Sequence, residues 1–386
     1  MAEIAFFCIP AHGHTNPTLP VVKALTDMGH RVTYYSFAPF RSEIEAAGAR
    51  FVDCGAGNAV AAASGNAVAR DITVSTRLIV DTTLALQDMA LKSLEALKPD
   101  VIVTDSVAFW GKLFALRLGI PFISSTTTFA FNQHSSKVMK QGLGDLIRML
   151  VKMPKANRLL RPLRDAGYPV KGVLDIVQND DNTPTVVYTS RAFQPCADTF
   201  SDKYRFVGPC LREVAAPMQK PARALVYVSM GTVLDGEDDF YKNCVQALGD
   251  GRYEVILSVG ESRPPSDLPE NVHAHRRVDQ LAVLQAADVF VTHCGMNSVS
   301  EALYFGVPLV TRPLTPEEGG VANRAEELGA GLRLASADPA AIRAAVDAVM
   351  ADPKYRDAAG RIGQGFHACG GPQAAAEAIL EIATGA

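Results

Sequence analysis

The sequence predicts an α/β protein with two doubly wound parallel sheets, one in each half of the chain. Short apolar runs alternate with longer helical patterns over most of the length, and a Pro-containing stretch at 209–221 divides them into two series. Strands of four to six residues that alternate with helices are typical of βαβ units, whose parallel sheets are buried on both faces. With 386 residues, the chain is long enough for two domains, each with its own core.

The predicted strands form two series, and helices alternate with the strands in each. The first series comprises Ile4–Ile9, Arg31–Ser36, Val101–Thr104, Phe122–Ser124 and Thr185–Thr189. The second series comprises Leu225–Ser229, Val255–Val259, Val289–Thr292 and Pro308–Thr311. The helical patterns include Leu19–Met28, Leu84–Leu97 and Ala322–Leu328. We therefore predict one domain at 1–208 and a second at 222–371, joined by a linker at 209–221.

Composition and charge exclude several classes of protein. Hydrophobic residues make up 48% of the chain and charged residues 20%, which is typical of a globular protein. A net charge of −4 gives no basic excess, so we expect no nucleic-acid partner. The seven cysteines are scattered without a CxxC pair, which indicates reduced thiols and no zinc site. Because the sequence shows neither a membrane span of roughly 18 apolar residues nor a signal peptide, we expect a cytoplasmic protein.

Polar residues follow the predicted strands at their carboxyl ends. His14 comes after the first strand and Asp105 after the third, while Ser229 ends one strand of the second series and His293 follows another. Ligands of open parallel sheets bind beyond the carboxyl ends of the strands. We therefore expect a polar edge in each half, and two such edges facing each other would form a central cleft that holds the ligands.

The segment 292–303 is the most informative part of the sequence. A strand ends there, Gly295 permits a tight turn, and a helix is predicted to begin near Asn297 or Ser298. The free amides and the dipole of a helix start favour an anion such as a diphosphate. However, Ser298 and Glu301 also fit the Ser-x-x-Glu pattern of a capping box, which needs no ligand. The helix pattern alone leaves both interpretations open.

The same segment resembles the signature of nucleotide-sugar glycosyltransferases with the GT-B fold. The resemblance rests on the blocks His293-Cys-Gly-Met-Asn-Ser298, Glu301-Ala and Gly306-Val-Pro308. Further matches follow in the family's order over essentially the whole chain: Pro10-Ala-His-Gly-His14-Thr-Asn-Pro17, Thr104-Asp105, Tyr188-Thr-Ser190, Phe206-Val-Gly-Pro209, Ser229-Met-Gly-Thr232 and Asp279-Gln280-Leu281. The group it resembles most is the bacterial macrolide glycosyltransferases, which are related to plant enzymes that glycosylate phenolics.

The resemblance implies two Rossmann-like domains that face a central cleft. The first would bind the acceptor and the second the nucleotide-sugar donor, and the C-terminal helix at 372–386 would pack back on the first domain. The implied ligands of the diphosphate are His293, Gly295, Asn297 and Ser298. Glu301 is expected to bind ribose hydroxyls, and Ser229 and Thr232 to line the nucleotide.

The resemblance also implies which residues carry the chemistry. The histidine of the Gly-His-x-Asn-Pro element is the family's general base, which implies that role for His14, and Asp105 would orient it. An imidazole suits the deprotonation of a hydroxyl because its pKa is near neutrality, and a carboxylate on the other ring nitrogen fixes its tautomer. On the residues alone, His14 could be an ordinary loop residue and Asp105 a helix N-cap.

Two places depart from the family pattern. Arg277 stands where the family has an aromatic residue that stacks on the base, three places before Gln280, and Asp279 replaces a proline. Since a guanidinium can also stack on a base, Arg277 and Gln280 are kept as donor-binding candidates. The acidic-Gln pair that holds the sugar hydroxyls reads Glu317-Glu318. Glutamate accepts hydrogen bonds from sugar hydroxyls but cannot donate them, so the pair can still bind a hexose.

These expectations combine into one predicted activity. The chain would be an inverting glycosyltransferase that moves a sugar to a hydroxyl of a small apolar phenolic or macrolide. The expected donor is UDP-glucose, and a TDP-sugar is the second candidate. His293 and the helix amides would meet the diphosphate charge, so no metal or other cofactor is expected. The alternatives are a nucleotide-sugar epimerase and a catalytically silent partner protein of the same fold. A dinucleotide oxidoreductase is disfavoured because no GxGxxG follows the first strand.

The segment 137–164 is strongly basic, and its charges are interleaved with Leu and Met. Its eight basic residues stand against a single acidic one, Asp145. We expect helices whose apolar face walls the acceptor pocket while the charges meet water. A peripheral contact with an anionic membrane is the alternative.

Overall fold

The computed structural model of the chain describes residues 1–55, 71–132, 134–135, 143–177, 179, 182–231 and 237–385. They form two compact units, one made of Met1–Leu211 with Cys369–Ala386 and the other of Arg212–Ala368. The first boundary falls inside the predicted linker 209–221, and the second follows Ala368 rather than residue 371.

The first unit contains a parallel sheet of seven described strands. The strands are β1 (Glu3–Phe7), β2 (Arg31–Ser36), β3 (Arg50–Asp53), β4 (Val101–Asp105), β5 (Phe122–Thr126), β6 (Thr185–Val187) and β7 (Tyr204–Phe206). Their order in the sheet is β3-β2-β1-β4-β5-β6-β7. The helices are α1 (His12–Asp27), α2 (Arg41–Ala46), α3 (Ile72–Leu97), α4 (Phe109–Leu118), α5 (Leu143–Leu159), α6 (Arg161–Asp165) and α7 (Val173–Val177).

The second unit contains a parallel sheet of six described strands. They are β8 (Leu225–Ser229), β9 (Glu254–Ser258), β10 (Val272–His275), β11 (Val289–Thr292), β12 (Leu309–Thr311) and β13 (Gly331–Arg333), in the order β10-β9-β8-β11-β12-β13. Its helices are α8 (Asp238–Leu248), α9 (Gln280–Ala286), α10 (Met296–Tyr304), α11 (Pro316–Glu327), α12 (Pro339–Ala351) and α13 (Pro353–His367). The last helix, α14 (Gly371–Thr384), belongs to the first unit.

Each unit thus contains a doubly wound parallel sheet, as the sequence predicts. In the first unit, helices cover both faces: α1 and α14 pack on one side, and α3 and α4 on the other. Helix α14 contributes Ala375, Ala376 and Ile379 to the same core as β1 and α1, which explains why the end of the chain joins the first unit.

The strand register brings the polar carboxyl ends of the first sheet to one edge. Phe7 of β1 pairs with Thr104 of β4, and Asp105 of β4 pairs with Ser125 of β5. In the second sheet, Ser229 of β8 pairs with Thr292 of β11. The residues that follow these strands therefore collect at the edge where parallel sheets bind ligands.

Helix α1 begins earlier than the sequence predicts. It starts at His12, whereas the helical pattern indicated a start at Leu19, and it contains Pro17 and Pro20. Proline removes a backbone donor and is unfavourable inside a helix, which is why the pattern favoured a loop here. The buried face of α1 packs on β2 and α14, and this tertiary packing overrides the local preference. His14 therefore lies in the first turn of a helix rather than in a loop.

The cysteines and the helices of the described residues bear on two of the expectations. The seven cysteines, all within the described ranges, are free thiols, as their scattered spacing predicts. None of the described helices is both long and apolar enough to cross a bilayer.

Candidate active site

His14 and Asp105 form a hydrogen-bonded pair at the carboxyl edge of the first sheet. His14 follows β1, and Asp105 is the last residue of β4. His14 Nδ1 lies 2.7 Å from Asp105 Oδ2; the histidine side chain is 22% exposed and the aspartate side chain 1% exposed. When Nδ1–H donates to the carboxylate, Nε2 is the basic nitrogen of the ring. The structure thus brings together the two residues that the sequence analysis assigned to catalysis.

The second oxygen of Asp105 is held by the backbone. Its Oδ1 accepts hydrogen bonds from the amides of Val107, at 2.9 Å, and Ala108, at 3.3 Å. The N-cap of α4 is Ala108, so Asp105 is not the cap itself but holds the turn that leads into the helix. These backbone bonds fix the carboxylate and therefore the imidazole that it contacts.

Thr127, which was not predicted as a site residue, also contacts His14. Its Oγ1 lies 3.1 Å from His14 Nδ1, and the residue is 5% exposed. Thr127 is one of five consecutive Ser and Thr residues at 124–128, so residue type alone could not single it out. Its position just past the carboxyl end of β5 is the feature from which it could have been predicted.

In the second unit, the His293 ring lies between two glycines. A Cβ on Gly231 would come within 2.8 Å of the imidazole, and one on Gly295 within 2.7 Å of its Nε2. The Nδ1 atom of His293 is buried and has no hydrogen-bond partner among the described residues. Burial lowers the pKa of His293, although the charge of Glu318 and the backbone of Ser229 oppose the shift. A buried ring nitrogen that lacks a partner can bond an oxygen atom of a ligand.

Helix α10 begins beside His293 and has no side-chain cap. Its N-cap is Gly295, with φ −56° and ψ 138°, and the helix starts at Met296 with Asn297 as its second residue. The capping box offered as one interpretation of Ser298 and Glu301 is therefore wrong, because the helix begins before Ser298. The amides of an uncapped helix start favour an anion, as the other interpretation proposed.

The residue between His293 and Gly295 is strained. Cys294 has φ +72°, a left-handed conformation that costs a residue with a Cβ about 1–2 kcal/mol. The buried Cys294 amide donates to Thr292 Oγ1 at 3.1 Å, which helps to hold this turn. The tight turn thus places His293 and the start of α10 next to each other.

Three of the predicted donor-binding residues meet in one hydrogen-bonded cluster. Gln280 Nε2 lies 2.6 Å from Glu301 Oε2 and 3.2 Å from Ser298 Oγ. Gln280 Oε1 accepts a hydrogen bond of 3.0 Å from the hydroxyl of Tyr227. Tyr227 was not predicted as a site residue, because a tyrosine within an apolar strand is typical of the core.

The carboxyl group of Glu301 titrates near neutral pH. Burial raises its pKa to about 7, while the hydrogen bond from Gln280 and the charge of Arg212 oppose the shift and Asp279 adds to it. Its second oxygen, Oε1, has no hydrogen-bond partner in the described part of the chain. A carboxylate with one oxygen fixed and the other unpaired can accept hydrogen bonds from hydroxyl groups.

Asp279, which stands where the family has a proline, makes a cap and an ion pair, whereas Arg277 makes neither. Asp279 is the N-cap of α9, where its side chain accepts from the amide of Ala282, and its Oδ1 lies 2.5 Å from Arg212 Nη2. This ion pair lowers the pKa of Asp279 against the opposing effect of burial. Arg277 is exposed, and its guanidinium makes no hydrogen bond, ion pair or ring contact with the described residues.

Glu317 and Glu318 lie in the first turn of α11, and only one of them has a structural role. Glu318 closes a capping box: its amide donates to Thr315 Oγ1, and its Oε2 accepts from the amides of Leu314, at 2.7 Å, and Thr315, at 2.8 Å. Glu317 is exposed. Sugar binding by the two residues remains a prediction, and Glu318 Oε1 is the oxygen of that residue that the capping box leaves available.

The remaining predicted residues are placed as follows. Ser229 ends β8 and is 7% exposed, and Thr232 lies outside the described residues. In the basic segment, Lys152 pairs with Asp71 at 2.7 Å, while 137–142 and the side chains of 143–150 lie outside the description. No group of three His, Cys, Asp or Glu residues that could hold a metal ion occurs within the described ranges.

Comparisons with known proteins agree with this architecture. Residues 242–382 match the C-terminal domain of the family described as erythromycin biosynthesis protein CIII-like. The chain is 32% identical to the uncharacterized UDP-glucosyltransferase YojK of Bacillus subtilis, over 99% of this chain and 97% of that protein. It is 31% identical to the demethyllactenocin mycarosyltransferase of Streptomyces fradiae, over 98% of this chain and 86% of that protein.

Solved structures give the same result. The glycosyltransferase of kitacinnamycin superposes with a TM-score of 0.84 at 28% identity, with 99% of each chain covered. The calicheamicin glycosyltransferase CalG4 superposes with a TM-score of 0.83 at 29% identity, covering 99% of this chain and 98% of that one. From the motifs, the two parallel sheets and these similarities along its whole length, the chain belongs to the bacterial macrolide-type glycosyltransferases of the GT-B fold.

Proposed function

We propose that this glycosyltransferase moves glucose from UDP-glucose, with inversion, to a hydroxyl of a small apolar natural product such as a phenolic or a macrolide. The observation that carries the proposal is the pair formed by His14 Nδ1 and Asp105 Oδ2 at 2.7 Å. A buried carboxylate that holds one nitrogen of a partly exposed imidazole is an arrangement suited to general-base catalysis on a hydroxyl. The names of relatives, a UDP-glucosyltransferase and a macrolide mycarosyltransferase, support this substrate class.

The proposed reaction is a single displacement. His14 Nε2 takes the proton of the acceptor hydroxyl while its oxygen forms a bond to the anomeric carbon of the sugar. The bond from that carbon to the diphosphate breaks, and the electron pair leaves with the nucleoside diphosphate. An α-linked donor gives a β-glycoside. Asp105 stabilises the imidazolium that forms, because its Oδ2 faces Nδ1.

The donor diphosphate is proposed to bind at the start of α10. Two observations support this site: the helix lacks a side-chain cap, and the buried Nδ1 of His293 lacks a partner among the described residues. Because burial lowers the pKa of His293, the free ring is neutral near pH 7 and would bond a phosphate oxygen through N–H rather than through a full charge. Asn297 and Ser298 would present their amides to the same group.

The rest of the donor is proposed to bind around this point. Glu301 would accept hydrogen bonds from the ribose hydroxyls, Ser229 and Thr232 would line the nucleotide, and the partnerless Arg277 would stack on the base. Glu317 and Glu318 would contact the sugar. Since the amides and His293 would meet the charge of the leaving group, we expect no metal or other cofactor, and we expect the enzyme to act in the cytoplasm.

The experiment that tests this proposal is mass spectrometry of reactions between a panel of donors and a panel of acceptors. UDP-glucose, other UDP-sugars and TDP-sugars are each incubated with phenolics, macrolides or no acceptor. A product that carries one hexose, formed only when donor and acceptor are both present, is the expected result. Conversion of a UDP-sugar without an acceptor would indicate an epimerase instead. Transfer from TDP-sugars alone would refute the assignment of UDP.

A further inference from the structure

The hydroxyl of Tyr227 is buried beneath the Gln280 side chain. Tyr227 lies in the middle of β8 and is 1% exposed, and its ring stacks on Phe290 of β11 with the centroids 4.7 Å apart. The hydroxyl donates a hydrogen bond of 3.0 Å to Gln280 Oε1. Burial raises the pKa of this phenol above its ordinary value, so the hydroxyl stays protonated and able to donate.

This hydrogen bond matters because a glutamine amide has two distinct ends. The Nε2 end of Gln280 supplies two hydrogens, one for Glu301 Oε2 at 2.6 Å and one for Ser298 Oγ at 3.2 Å. An ionised carboxylate can only accept, so it requires the NH2 end of the amide. The carbonyl end must then face Tyr227, and the phenol satisfies it.

Glu301 has one oxygen in this cluster and one outside it. Oε2 receives the amide of Gln280, while Oε1 has no hydrogen-bond partner among the described residues. The direction of Oε1 depends on Oε2 being held. Three side chains, those of Tyr227, Gln280 and Glu301, are therefore linked from the core of the second sheet to a carboxylate oxygen that has no hydrogen-bond partner among the described residues.

We propose that Tyr227 is a positioning residue for nucleotide binding: its hydroxyl fixes the Gln280 amide, which in turn fixes Glu301 as an acceptor for the ribose hydroxyls. This inference rests on the proposed function, because it takes from there that Glu301 binds ribose. It adds a residue that does not touch the nucleotide. Loss of the phenol hydroxyl should then weaken binding only of nucleotides that have ribose hydroxyls.

The test is the Tyr227→Phe variant, which keeps the ring stacked on Phe290 and removes only the hydroxyl. Calorimetry measures the affinities for UDP and for its 2′,3′-dideoxy analogue, which lacks both ribose hydroxyls. The same measurements with dTDP and its 3′-deoxy analogue remove any dependence on base preference. We expect Tyr227→Phe to lower the affinity for UDP by roughly 3- to 10-fold, which corresponds to the loss of one neutral hydrogen bond. The affinity for the dideoxy analogue should fall by less than about 2-fold.

A matched control uses a second buried tyrosine of the same unit. Tyr253 is 5% exposed, and its hydroxyl donates to Asp347 Oδ1 at 2.6 Å, away from the Gln280 cluster. Tyr253→Phe should change neither affinity by more than about 2-fold. Thermal unfolding of both variants shows whether either substitution disturbs the fold.

A double-mutant cycle with Glu301→Gln separates action through Glu301 from a direct effect. If Tyr227 acts through Glu301, Tyr227→Phe should change UDP affinity by less than about 1.5-fold in the Glu301→Gln background. An equal loss for UDP and the dideoxy analogue, no loss for either, or a loss that persists in that background would overturn the inference. If the wild type itself does not discriminate between the two nucleotides, the ribose role of Glu301 fails, and the inference fails with it.

Discussion

Substituting alanine for Gly295 should displace His293 without unfolding the chain. The backbone at Gly295, with φ −56° and ψ 138°, is one that alanine adopts without strain. The added methyl group, however, would lie 2.7 Å from His293 Nε2 and 3.3 Å from its Cε1. Ordinary contact begins at 3.4 Å, so the imidazole must move by at least about 0.7 Å. The substitution therefore tests the position of one side chain while the fold stays intact.

The expected loss follows from the hydrogen bond that His293 is proposed to make. A hydrogen bond to a charged group contributes about 1.5–3 kcal/mol, and a shift of about 0.7 Å would stretch a bond of about 2.9 Å to about 3.6 Å, which is too long for a hydrogen bond. Affinity for UDP should therefore fall by roughly 10- to 100-fold in Gly295→Ala. The free energy of unfolding should change by less than about 1 kcal/mol.

The assay is calorimetric titration with UDP, paired with chemical denaturation. Gly360→Ala is the matched control, because Gly360 lies inside α13 with nothing within 4 Å of the added methyl group. That variant should bind UDP like the wild type and gain about 0.5–1 kcal/mol in the free energy of unfolding. Unchanged UDP affinity in Gly295→Ala would refute the assignment of His293 to the diphosphate.

The remaining predictions concern chemistry and pH. His14→Ala should lower kcat by roughly 10²–10⁴-fold with UDP affinity unchanged, whereas the control His12→Ala should keep full turnover. If steady-state assays show equal losses of kcat in the two variants, the effect is a local structural one. The raised pKa of Glu301, about 7, predicts that UDP affinity increases as pH rises through 7 and that Glu301→Gln flattens this profile. Because an unfolded glutamate ionises near 4.5, this group should also lower the free energy of unfolding of the free enzyme as pH rises from about 4.5 to 7. Activity should persist in excess EDTA; a loss that Mg²⁺ or Mn²⁺ restores would count against the helix-amide account. Glu318→Gln should retain the capping box but shift kcat/KM ratios among sugar donors by roughly 10- to 100-fold; ratios within twofold would show that the residue only caps α11.

The central strands were predictable, and three of the four edge strands were not. The strands β1, β4, β8 and β11 are short apolar runs buried on both faces, so their composition identifies them. The edge strands β3, β7 and β13 each carry an exposed arginine and include only three or four residues, so they resemble loops. Their neighbours in the sheet, rather than their own sequence, make them strands.

The proposed catalytic pair was predictable because its members lie at or after the ends of strands, whereas the contacts that support the pair were not. His14 and Asp105 are polar residues in the places where a parallel sheet gathers ligand groups. Thr127 is hidden in a run of similar residues, and Tyr227 sits where a core residue is expected. The supporting residues matter because of their distances and the directions of their hydrogen bonds, and a sequence pattern shows neither of these.

Two occurrences of one helix-start pattern show what decides between structure and ligand binding. Ser298-x-x-Glu301 and Thr315-x-x-Glu318 both fit a capping box, but only the second forms one. Thr315 is itself the N-cap of α11, so Glu318 can reach back to the backbone amides before the helix. Ser298 lies inside α10, and Glu301 therefore turns to Gln280 instead. The start of α10 has no side-chain cap, and we propose that its amides, beside His293, bind an anion that arrives with the substrate.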